Sequence, residues 1–252
     1  MNEILRLENI SLAYQTETDE IRALSSISFS VEKGEFVAII GPSGCGKTSI
    51  LSIIAGLLKP SGGRVTLCGE EIKKGKNSIG YMLQKDELFP WRTIEENAYL
   101  PLEVKKLKSA DEKKKVNRLL EKYGLWEFRK KYPSQLSGGM RQRAALIRTM
   151  ASSPDLLLLD EPFSALDYQT RLAVCDDVYS IIKNEKKTAL LVTHDISEAI
   201  SVADRVVVLS ARPAKVSVIR EMPFDKKLTP LHRRECPEFS SVFEQLWRDL
   251  NK

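Results

Sequence analysis

The sequence predicts an α/β fold built on a mostly parallel sheet that is buried between helices. Two uninterrupted apolar runs, at residues 36–40 and 156–159, and the segment 188–193 (TALLVT) are typical of strands covered on both faces. An alternating segment such as 27–31 instead predicts a strand with one wet face. From residue 93 to 132 the chain is charged with helical spacing, which predicts a helical lobe inserted in the core.

The composition is that of an ordinary globular chain of 252 residues, with 42% hydrophobic and 29% charged residues. This length allows one large domain or two small lobes that share a core. The formal net charge of +5 is only mildly basic, so we expect no nucleic-acid partner. The lysine run 113–115 is expected to be the solvated face of a helix.

The cysteines indicate the redox compartment, and the apolar segments indicate whether the chain carries an export signal or a membrane span. No CxxC spacing occurs among the four cysteines, so we expect free thiols in a reducing compartment and no zinc site. The N-terminal residues have polar breaks and do not read as a signal peptide. No apolar run approaches about 18 residues, so no membrane span is predicted. The cysteines are Cys45, Cys68, Cys175 and Cys236.

The first half of the chain alternates strands and turns. Residues 4–7 alternate like 27–31, and the turn Lys33–Gly34 precedes the apolar strand 36–40. Glycines then break this strand, and a helix is predicted over Lys47–Leu57, ended by Gly56 and the turn 60–63. Residues 64–67 and 79–82 predict further short strands.

The second half is helical before it returns to strands. Ser109–Glu112 fits a capping box. Residues 116, 119, 120 and 123 then form one apolar stripe with lysines opposite. After the strand 188–193 a helix is predicted to begin at Asp195, and 205–209 is the last clear strand. A C-terminal helix, Phe239–Leu250, is predicted to pack back on the core.

A glycine-rich loop between the strand 36–40 and the following helix predicts nucleotide binding. Its sequence, GPSGCGKT, matches GxxxxGK[ST] without departure. Backbone amides and the helix N-terminus suit phosphate groups. Lys47 is expected to reach the β- and γ-phosphates, and Thr48 to give its hydroxyl to Mg²⁺. The predicted nucleotide-binding residues here are Gly41, Pro42, Ser43, Gly44, Cys45, Gly46, Lys47, Thr48 and Ser49.

The apolar run 156–159 ends in Asp160-Glu161-Pro162. Carboxylates at the carboxyl end of a strand lie where α/β folds bind ligands. Asp160 is expected to hold Mg²⁺ through water, and Glu161 to polarise the attacking water as a general base or a water-positioning group. The alternative is a pair of solvated acids after a core strand.

The segment Leu136–Arg143 reads LSGGMRQR. Ser137 can cap a helix that begins at Gly138-Gly139, which would create an anion site of hydroxyl, free amides and helix dipole. This second anion site is distant in sequence from the phosphate loop 41–48, and that loop would already be occupied by the phosphates of its own nucleotide. The alternative is an ordinary helix start.

These motifs, in this order, resemble the ATP-binding cassette (ABC) ATPases over nearly the whole chain. The resemblance implies a P-loop NTPase (RecA-like) core with an N-terminal antiparallel β lobe and an inserted α-helical lobe at about residues 93–150. It also implies an ATP-binding domain over residues 4–235 and a helical tail over 236–252. The implied cofactors are ATP and Mg²⁺.

The resemblance assigns further roles. Tyr14 resembles the aromatic residue that stacks on adenine, and Gln84 the glutamine that touches Mg²⁺ or water and senses a membrane partner. Asp167 lies in the D-loop, 164–167, and is a nucleotide-site residue, while His194 resembles the switch histidine that contacts the γ-phosphate. From the residues alone, Tyr14 could be a core or surface tyrosine, Gln84 a plain surface residue and His194 a buried structural histidine.

In this family the signature Ser137-Gly138-Gly139 binds the γ-phosphate of ATP held by another subunit. The resemblance therefore implies a head-to-tail twofold dimer with two ATP molecules between phosphate loop and signature. A twofold interface is self-complementary, so one sequence supplies both halves of both sites.

The segment Phe89–Asn97 points to one branch of the family. Its LFPW pattern resembles importer ATPases of the nitrate, sulfonate and taurine type, as do residues 210–216 and 237–239. Trp91 could line a groove for a short helix of a membrane subunit, or it could pack inside the helical lobe. The 58 residues after His194 are too few for an added regulatory barrel, so we expect none.

The function implied is that of an importer ATPase at the cytoplasmic face of the membrane. It would drive two permease subunits and serve a substrate-binding protein indirectly, with a small anion such as sulfonate, taurine or nitrate as cargo. A vitamin precursor is an equally compatible solute. A soluble cassette ATPase of DNA repair or translation would carry a coiled coil or a second cassette. An inactive regulatory cassette conflicts with intact Lys47, Asp160, Glu161 and His194.

Overall fold

The computed structural model describes residues 3–15, 19–72, 78–107 and 109–251. Two compact units divide the chain: Met1–Asn77 with Lys186–Lys252 forms the first, and Ser78–Glu185 forms the second. The predicted helical lobe, about 93–150, lies inside the second unit.

The strands are β1 (Glu3–Gln15), β2 (Glu20–Glu32), β3 (Phe36–Ile40), β4 (Gly62–Leu67), β5 (Glu70–Glu71), β6 (Ile79–Met82), β7 (Leu156–Asp160), β8 (Thr188–Val192), β9 (Arg205–Leu209) and β10 (Val216–Glu221). The helices are α1 (Lys47–Ile54), α2 (Ile94–Val104), α3 (Ala110–Lys122), α4 (Gly138–Met150), α5 (Tyr168–Asn184), α6 (Ile196–Val202), α7 (Pro230–Glu235) and α8 (Glu238–Leu250). Short 3₁₀ turns cover Trp126–Phe128 and Pro133–Gln135.

The first unit contains an antiparallel sheet in the order β2-β1-β4-β5. Along β2 the side chains of Ile27, Phe29 and Val31 are buried, while Ser28 is exposed and Ser30 is half-buried. The alternation predicted for 27–31 is thereby confirmed, because a period of two sends neighbouring side chains to opposite faces. Over residues 4–7 it holds only from Leu5 on, since Ile4 is buried as well.

The same unit holds the strands that carry the phosphate loop. Strand β3 runs parallel to both β8 and β9, and β10 pairs antiparallel to β9. Every residue of β3 and β8 is buried. A strand covered on both faces requires apolar side chains at successive positions. The apolar sequences of β3 and β8 therefore predict the burial that is observed.

The C-terminal helix forms as predicted, one residue earlier than expected. Helix α8 contacts α6 and β9, with Val242 and Leu246 buried. On the same helix the carboxylate of Asp249 accepts a hydrogen bond from Arg220 of β10 at 2.5 Å.

The second unit places β6 parallel to β7 and surrounds them with helices. Helix α4 contacts α2, α3, α5 and β6, so it is the central helix of this unit. On α3, Val116 and Leu120 are buried and Lys113, Lys114 and Lys115 are exposed, as the apolar stripe predicted.

The end of α1 and the cap of α3 also differ from the sequence prediction. Helix α1 ends at Ile54 rather than Leu57, because Gly56 adopts φ +71° and its N–H bonds back to the carbonyl of Ile53. At α3, Ser109 accepts from the Glu112 amide, but the Glu112 carboxylate pairs with Lys115. The complete capping box lies instead at the start of α2.

All four cysteines are free thiols, as predicted. Within the described ranges, no helix is long and apolar enough to cross a membrane.

Candidate nucleotide site

The phosphate loop joins the buried strand β3 to α1. Gly44 and Gly46 have φ values of +72° and +115°, which L side chains rarely adopt. A Cβ on Gly46 would also lie 2.7 Å from Cδ2 of Leu24. The glycines therefore let the loop turn closely over its own unit and leave its backbone exposed to a ligand.

Lys47 is buried, with 6% of its surface exposed. Its Nζ donates to the carbonyl oxygens of Gly41 at 2.7 Å and Pro42 at 3.0 Å. An ammonium group has three donors, so these two bonds leave one donor for another acceptor. Burial raises the pKa of the neighbouring Cys45 thiol, with the positive charge of Lys47 acting in the opposite direction. Cys45 is therefore a neutral packing residue at neutral pH.

Tyr14 lies near the end of β1 and is 41% exposed. Its hydroxyl forms a hydrogen bond with Oγ of Ser49, at 3.0 Å, near the start of α1. The predicted adenine-stacking residue and the phosphate loop are thus connected within the first unit, and the ring is not a core residue.

His194 follows β8 and is exposed, so the alternative of a buried structural histidine is wrong. Hydrogen bonds of the neighbouring residues hold the backbone on both sides of His194. The hydroxyl of Thr193 donates to the buried carboxylate of Glu198 at 2.6 Å and accepts from the Asp195 amide at 3.0 Å. Asp195 caps α6 through the Ser197 and Glu198 amides. These bonds fix the backbone that presents the imidazole.

The acidic strand end lies in the second unit. Asp160 closes β7 and is buried, and its Oδ2 accepts a hydrogen bond from the Tyr81 hydroxyl at 3.2 Å. The next residue, Glu161, has φ +44°, in the left-handed region that costs a non-glycine residue about 1 kcal/mol or more. Such strain persists where a side chain must be aimed, which fits a residue with a chemical role.

Gln84 and Glu161 are brought together in this unit. The side-chain amide of Gln84 lies 3.5 Å from the Glu161 carboxylate and 3.3 Å from Oγ of Ser164. The Ser164 hydroxyl in turn donates to the Glu161 carbonyl at 3.0 Å. Gln84 is exposed, and its side-chain amide is directed at the acidic strand end by these two long contacts.

The signature segment forms the predicted helix cap. Ser137 is exposed at the N-cap of α4 and its Oγ accepts from the Met140 amide at 3.3 Å. A Cβ on Gly138 would lie 3.0 Å from Leu166, and one on Gly139 would lie 2.9 Å from Val174. The two glycines thus allow the start of α4 to pack against the D-loop and α5.

Asp167, predicted from the D-loop pattern, is the exposed N-cap of α5. Its side chain accepts from the Thr170 amide at 3.1 Å. Hydrogen bonds from Thr170 lower the pKa of this carboxyl.

Trp91 is 70% exposed and stacks on Phe89, with ring centroids 5.0 Å apart. It does not pack inside the helical region, so that alternative is wrong. Its turn is built around the fully buried Asn97, whose Oδ1 accepts from the Phe89 amide at 2.7 Å. The Asn97 Nδ2 lies 3.0–3.1 Å from the carbonyl oxygens of Phe89, Arg92 and Thr93.

A second set of bonds ties the segment before this turn to the signature helix. Arg141 donates to the Asp86 carboxylate at 3.0 Å. Arg148 donates to the backbone carbonyl oxygens of Asp86 and Glu87, each at 2.6 Å. Burial lowers the pKa of the Arg148 guanidinium.

Several supporting residues were missed from the sequence: Tyr81, Asn97, Arg148, Glu198 and Arg212. Arg141 and Arg148 of α4 lie seven positions apart, on one helix face, and this spacing was a usable signal. Tyr81 and Asn97 carry no spacing signal.

The donor set suits Mg²⁺ chemically. Thr48, Gln84 and Asp160 offer hydroxyl, amide and carboxylate oxygens, which this hard cation prefers. Mg²⁺ is usually bound by one or two carboxylates together with substrate phosphates, and Asp160 provides such a carboxylate.

The chain matches known proteins over most of its length. The family described as ABC transporter matches residues 24–164. The ABC transporter ATP-binding protein YtlC of Bacillus subtilis is 46% identical, over 98% of this chain and 95% of its own. The aliphatic sulfonates import ATP-binding protein SsuB of Bacillus cereus is 41% identical, over 88% of both chains. The taurine import ATP-binding protein TauB of a Jannaschia species is 35% identical, over 96% and 92%.

Solved structures agree with the fold. The dimeric post-hydrolysis state of the ATP-binding cassette MJ0796 with ADP and Pi is 30% identical and superposes with a TM-score of 0.73, over 88% of this chain and 100% of that one. The cassette MJ1267 in its ADP conformation is 22% identical with a TM-score of 0.75, over 97% and 99%. The α/β prediction of a nucleotide-binding core with an antiparallel lobe and a helical insertion is confirmed. This chain therefore belongs to the ABC transporter family, as one of its ATP-binding, ATP-hydrolysing cassettes.

Proposed function

We propose that this ATPase is the energy-supplying subunit of an importer and that it works as a head-to-tail pair of identical chains. The observation that carries the catalytic half is the bonded cluster of Gln84, Glu161 and Ser164 beside the buried Asp160. A carboxylate held in position at a strand end can lie within hydrogen-bond reach of a water molecule, which is what a water-activating group needs.

The phosphate loop supplies binding. Lys47 uses two donors on loop carbonyls, and its third donor serves the β- and γ-phosphate oxygens. Loop amides and the N-terminus of α1 add further donors, and Tyr14 supplies the face on which adenine stacks. Thr48, Asp160 and Gln84 would hold Mg²⁺, which would supply positive charge against the charge that develops on the phosphates.

Glu161 takes the proton of the attacking water, and Gln84 fixes the orientation of its carboxylate. His194 donates to the γ-phosphate from a segment held by Thr193 and Glu198. In this assignment the chain positions the phosphates and the attacking water and stabilises the charge of the transition state, as phosphoryl transfer requires.

Replacing Glu161 by Gln keeps the shape and removes the base. We expect turnover to fall by about 100-fold or more, since a general base contributes about that much, while ATP binding persists and an ATP-bound dimer accumulates. Glu244→Gln on exposed α8 is the matched control. Undiminished turnover would reject Glu161 as the base.

The paired site is tested by mixing two inactive chains. Lys47→Ala removes the phosphate lysine and Ser137→Arg blocks the signature. In a random mixture half of the pairs are mixed, and each has one intact composite site, so activity should return to about one quarter of the parent value. Absence of rescue would show that both motifs serve the ATP of their own chain.

Support for a membrane partner comes from Trp91. A rigidly held, 70% exposed aromatic ring is typical of an interface anchor, and a short helix of a permease subunit fits this role. The chain would then sit peripherally on the cytoplasmic face of the membrane. Trp91→Ala should weaken co-purification with the permease subunits, whereas Trp247→Ala, a second exposed tryptophan on α8, should not.

The cargo proposal rests on the relatives named for sulfonate and taurine import. We assign a small sulfonate-type anion, delivered by a substrate-binding protein, with a vitamin precursor as the second candidate. Taurine or an alkanesulfonate with the reconstituted transporter should stimulate ATP hydrolysis. If only an unrelated solute stimulated ATP hydrolysis, the chain would be assigned to another branch of the importer ATPases.

A further inference from the structure

The turn that follows β9, residues 210–215, is closed on itself and clamped to the antiparallel sheet. The amide of Ser210 donates to the Lys215 carbonyl at 3.0 Å, and the Lys215 amide donates to Oγ of Ser210 at 3.0 Å. Ala214 bridges to β2, with its amide on the Ala23 carbonyl at 2.9 Å and its carbonyl on the Ser25 amide at 2.8 Å. The backbone that carries residues 211–213 is therefore fixed at both ends.

This turn places Arg212 on the phosphate loop. The guanidinium Nη2 donates to the backbone carbonyl of Gly44 at 2.5 Å. A Cβ built on Gly44 would lie 3.7 Å from the same Nη2. The positive charge also lies close enough to the Cys45 thiol to oppose the rise that burial causes in its pKa. The guanidinium of Arg212 thus lies directly beside the loop.

The bonded carbonyl belongs to a structurally sensitive peptide. Gly44 has φ +72°, and its C=O shares a planar peptide unit with the N–H of Cys45. In a trans peptide the two groups point in opposite directions. Here the Cys45 N–H donates to the Pro42 carbonyl at 3.3 Å, so the bond from Arg212 holds the other end of the same planar unit. A guanidinium at this position also adds a permanent positive charge next to an anion-binding loop.

We infer that Arg212 is a positioning residue for nucleotide binding, which holds the Gly44 carbonyl and so keeps the phosphate loop in its binding shape. The inference rests on the assignment of residues 41–48 to the phosphates in the proposed function. Arg212 acts on affinity, because it touches the loop and is not assigned to the water or to the leaving group.

The test measures ATP and ADP affinity of the full chain, together with KM and kcat, for three substitutions. Arg212→Ala should weaken nucleotide binding about tenfold, the scale of one lost charged hydrogen bond, with kcat at saturating ATP changed less than about twofold. Arg212→Lys keeps charge and one donor and should recover most of the affinity. Arg212→Gln keeps a donor without charge and should recover part of it. Arg248→Ala on α8 removes an exposed arginine and is the matched control.

Equal affinity of Arg212→Ala and the parent would overturn the inference. A large fall in melting temperature of the nucleotide-free Arg212→Ala chain, with no recovery by Arg212→Lys, would overturn it too, because the residue would then be only structural. Lys47→Ala distinguishes a failure of this inference from a failure of the assignment of residues 41–48 to the phosphates. If Lys47→Ala still binds ATP normally, the phosphate-loop assignment fails. If only the Arg212 variants bind normally, that assignment stands and the role of Arg212 falls.

Discussion

The side-chain amide of Gln84 lies between two groups of the acidic strand end, 3.5 Å from the carboxylate of Glu161 and 3.3 Å from the hydroxyl of Ser164. An amide nitrogen can donate to both acceptors at once. Gln84 is therefore placed to influence the direction of the carboxylate that is proposed to activate water.

Gln84→Ala should lower kcat about tenfold while KM for ATP changes less than about twofold, because a misplaced base loses rate without losing binding. Gln84→Glu should be more damaging, since a second carboxylate next to Glu161 favours the protonated, inactive base. Steady-state hydrolysis assays measure both, with the exposed Gln245→Ala on α8 as control. A purely KM effect would place Gln84 in ground-state binding instead.

Tyr14 should separate stacking from hydrogen bonding. Tyr14→Phe keeps the ring and loses only the bond to Ser49, so ATP affinity should change less than about threefold. Tyr14→Ala should weaken ATP binding about tenfold, since base–aromatic stacking is worth about 1–3 kcal/mol. Titration with ATP and with inorganic triphosphate distinguishes the cause, because triphosphate has no base and its affinity should not change. Equal losses for both ligands would contradict stacking.

Asn97 should be the most sensitive residue of the turn that carries Trp91. Asn97→Ala leaves the Phe89 amide and several backbone carbonyls without this partner in a buried site. We expect a loss of at least about 2 kcal/mol in unfolding free energy, measured by urea denaturation. The Trp91 fluorescence should also report a more mobile ring. Asn251→Ala at the exposed end of α8 is the control, and an equal loss there would remove the special role of Asn97.

A side chain at Gly139 should lower the free energy of unfolding while Val174 is present. A Cβ at Gly139 would lie 2.9 Å from Val174 Cγ2, so Gly139→Ala should cost about 1–3 kcal/mol through overpacking. In the background of Val174→Ala the same substitution should cost about 1 kcal/mol less, because the opposing methyl groups are gone. A double-mutant cycle of unfolding free energies measures this coupling. Additive effects would show that α4 relaxes away instead.

Asp167 gives a pH-dependent prediction. Hydrogen bonds from Thr170 lower the pKa of its carboxyl in the folded chain. A lowered pKa means that the stabilisation is complete above the unfolded value of about 3.9 and is lost as pH falls through the folded value. The parent should therefore melt above Asp167→Ala at neutral pH, with the gap closing below about pH 4. Asp167→Asn, which also caps helices well, should show no such pH trend. A gap that persists in acid would assign the effect to something other than ionisation.

Much of the fold followed from local patterns. Strands β3 and β8 are apolar at nearly every position and are buried at every position, so composition alone located them. The end of α1 was placed three residues late at Leu57. The apolar residues after Ile54 continue the helical pattern, but the left-handed Gly56 ends the helix earlier.

The candidate site divides in the same way. Residues fixed by short motif spacing, such as Lys47, Ser137 and Glu161, could be predicted from the sequence. Their supports could not, because they act across large sequence separations: Tyr81 reaches Asp160 over 79 positions and Arg212 reaches Gly44 over 168. Such pairs leave no periodicity, and only the folded chain brings them into contact.

The arginines of α4 give the second unit a mechanical property. Arg141 and Arg148 grip residues 86–87, and Asn97 stiffens the turn that follows. Because of these bonds, a displacement of Trp91 would be passed to the helix that begins after Ser137. If a permease subunit contacts Trp91, as proposed above, the stiffness of residues 86–97 would set how much of its movement reaches the signature.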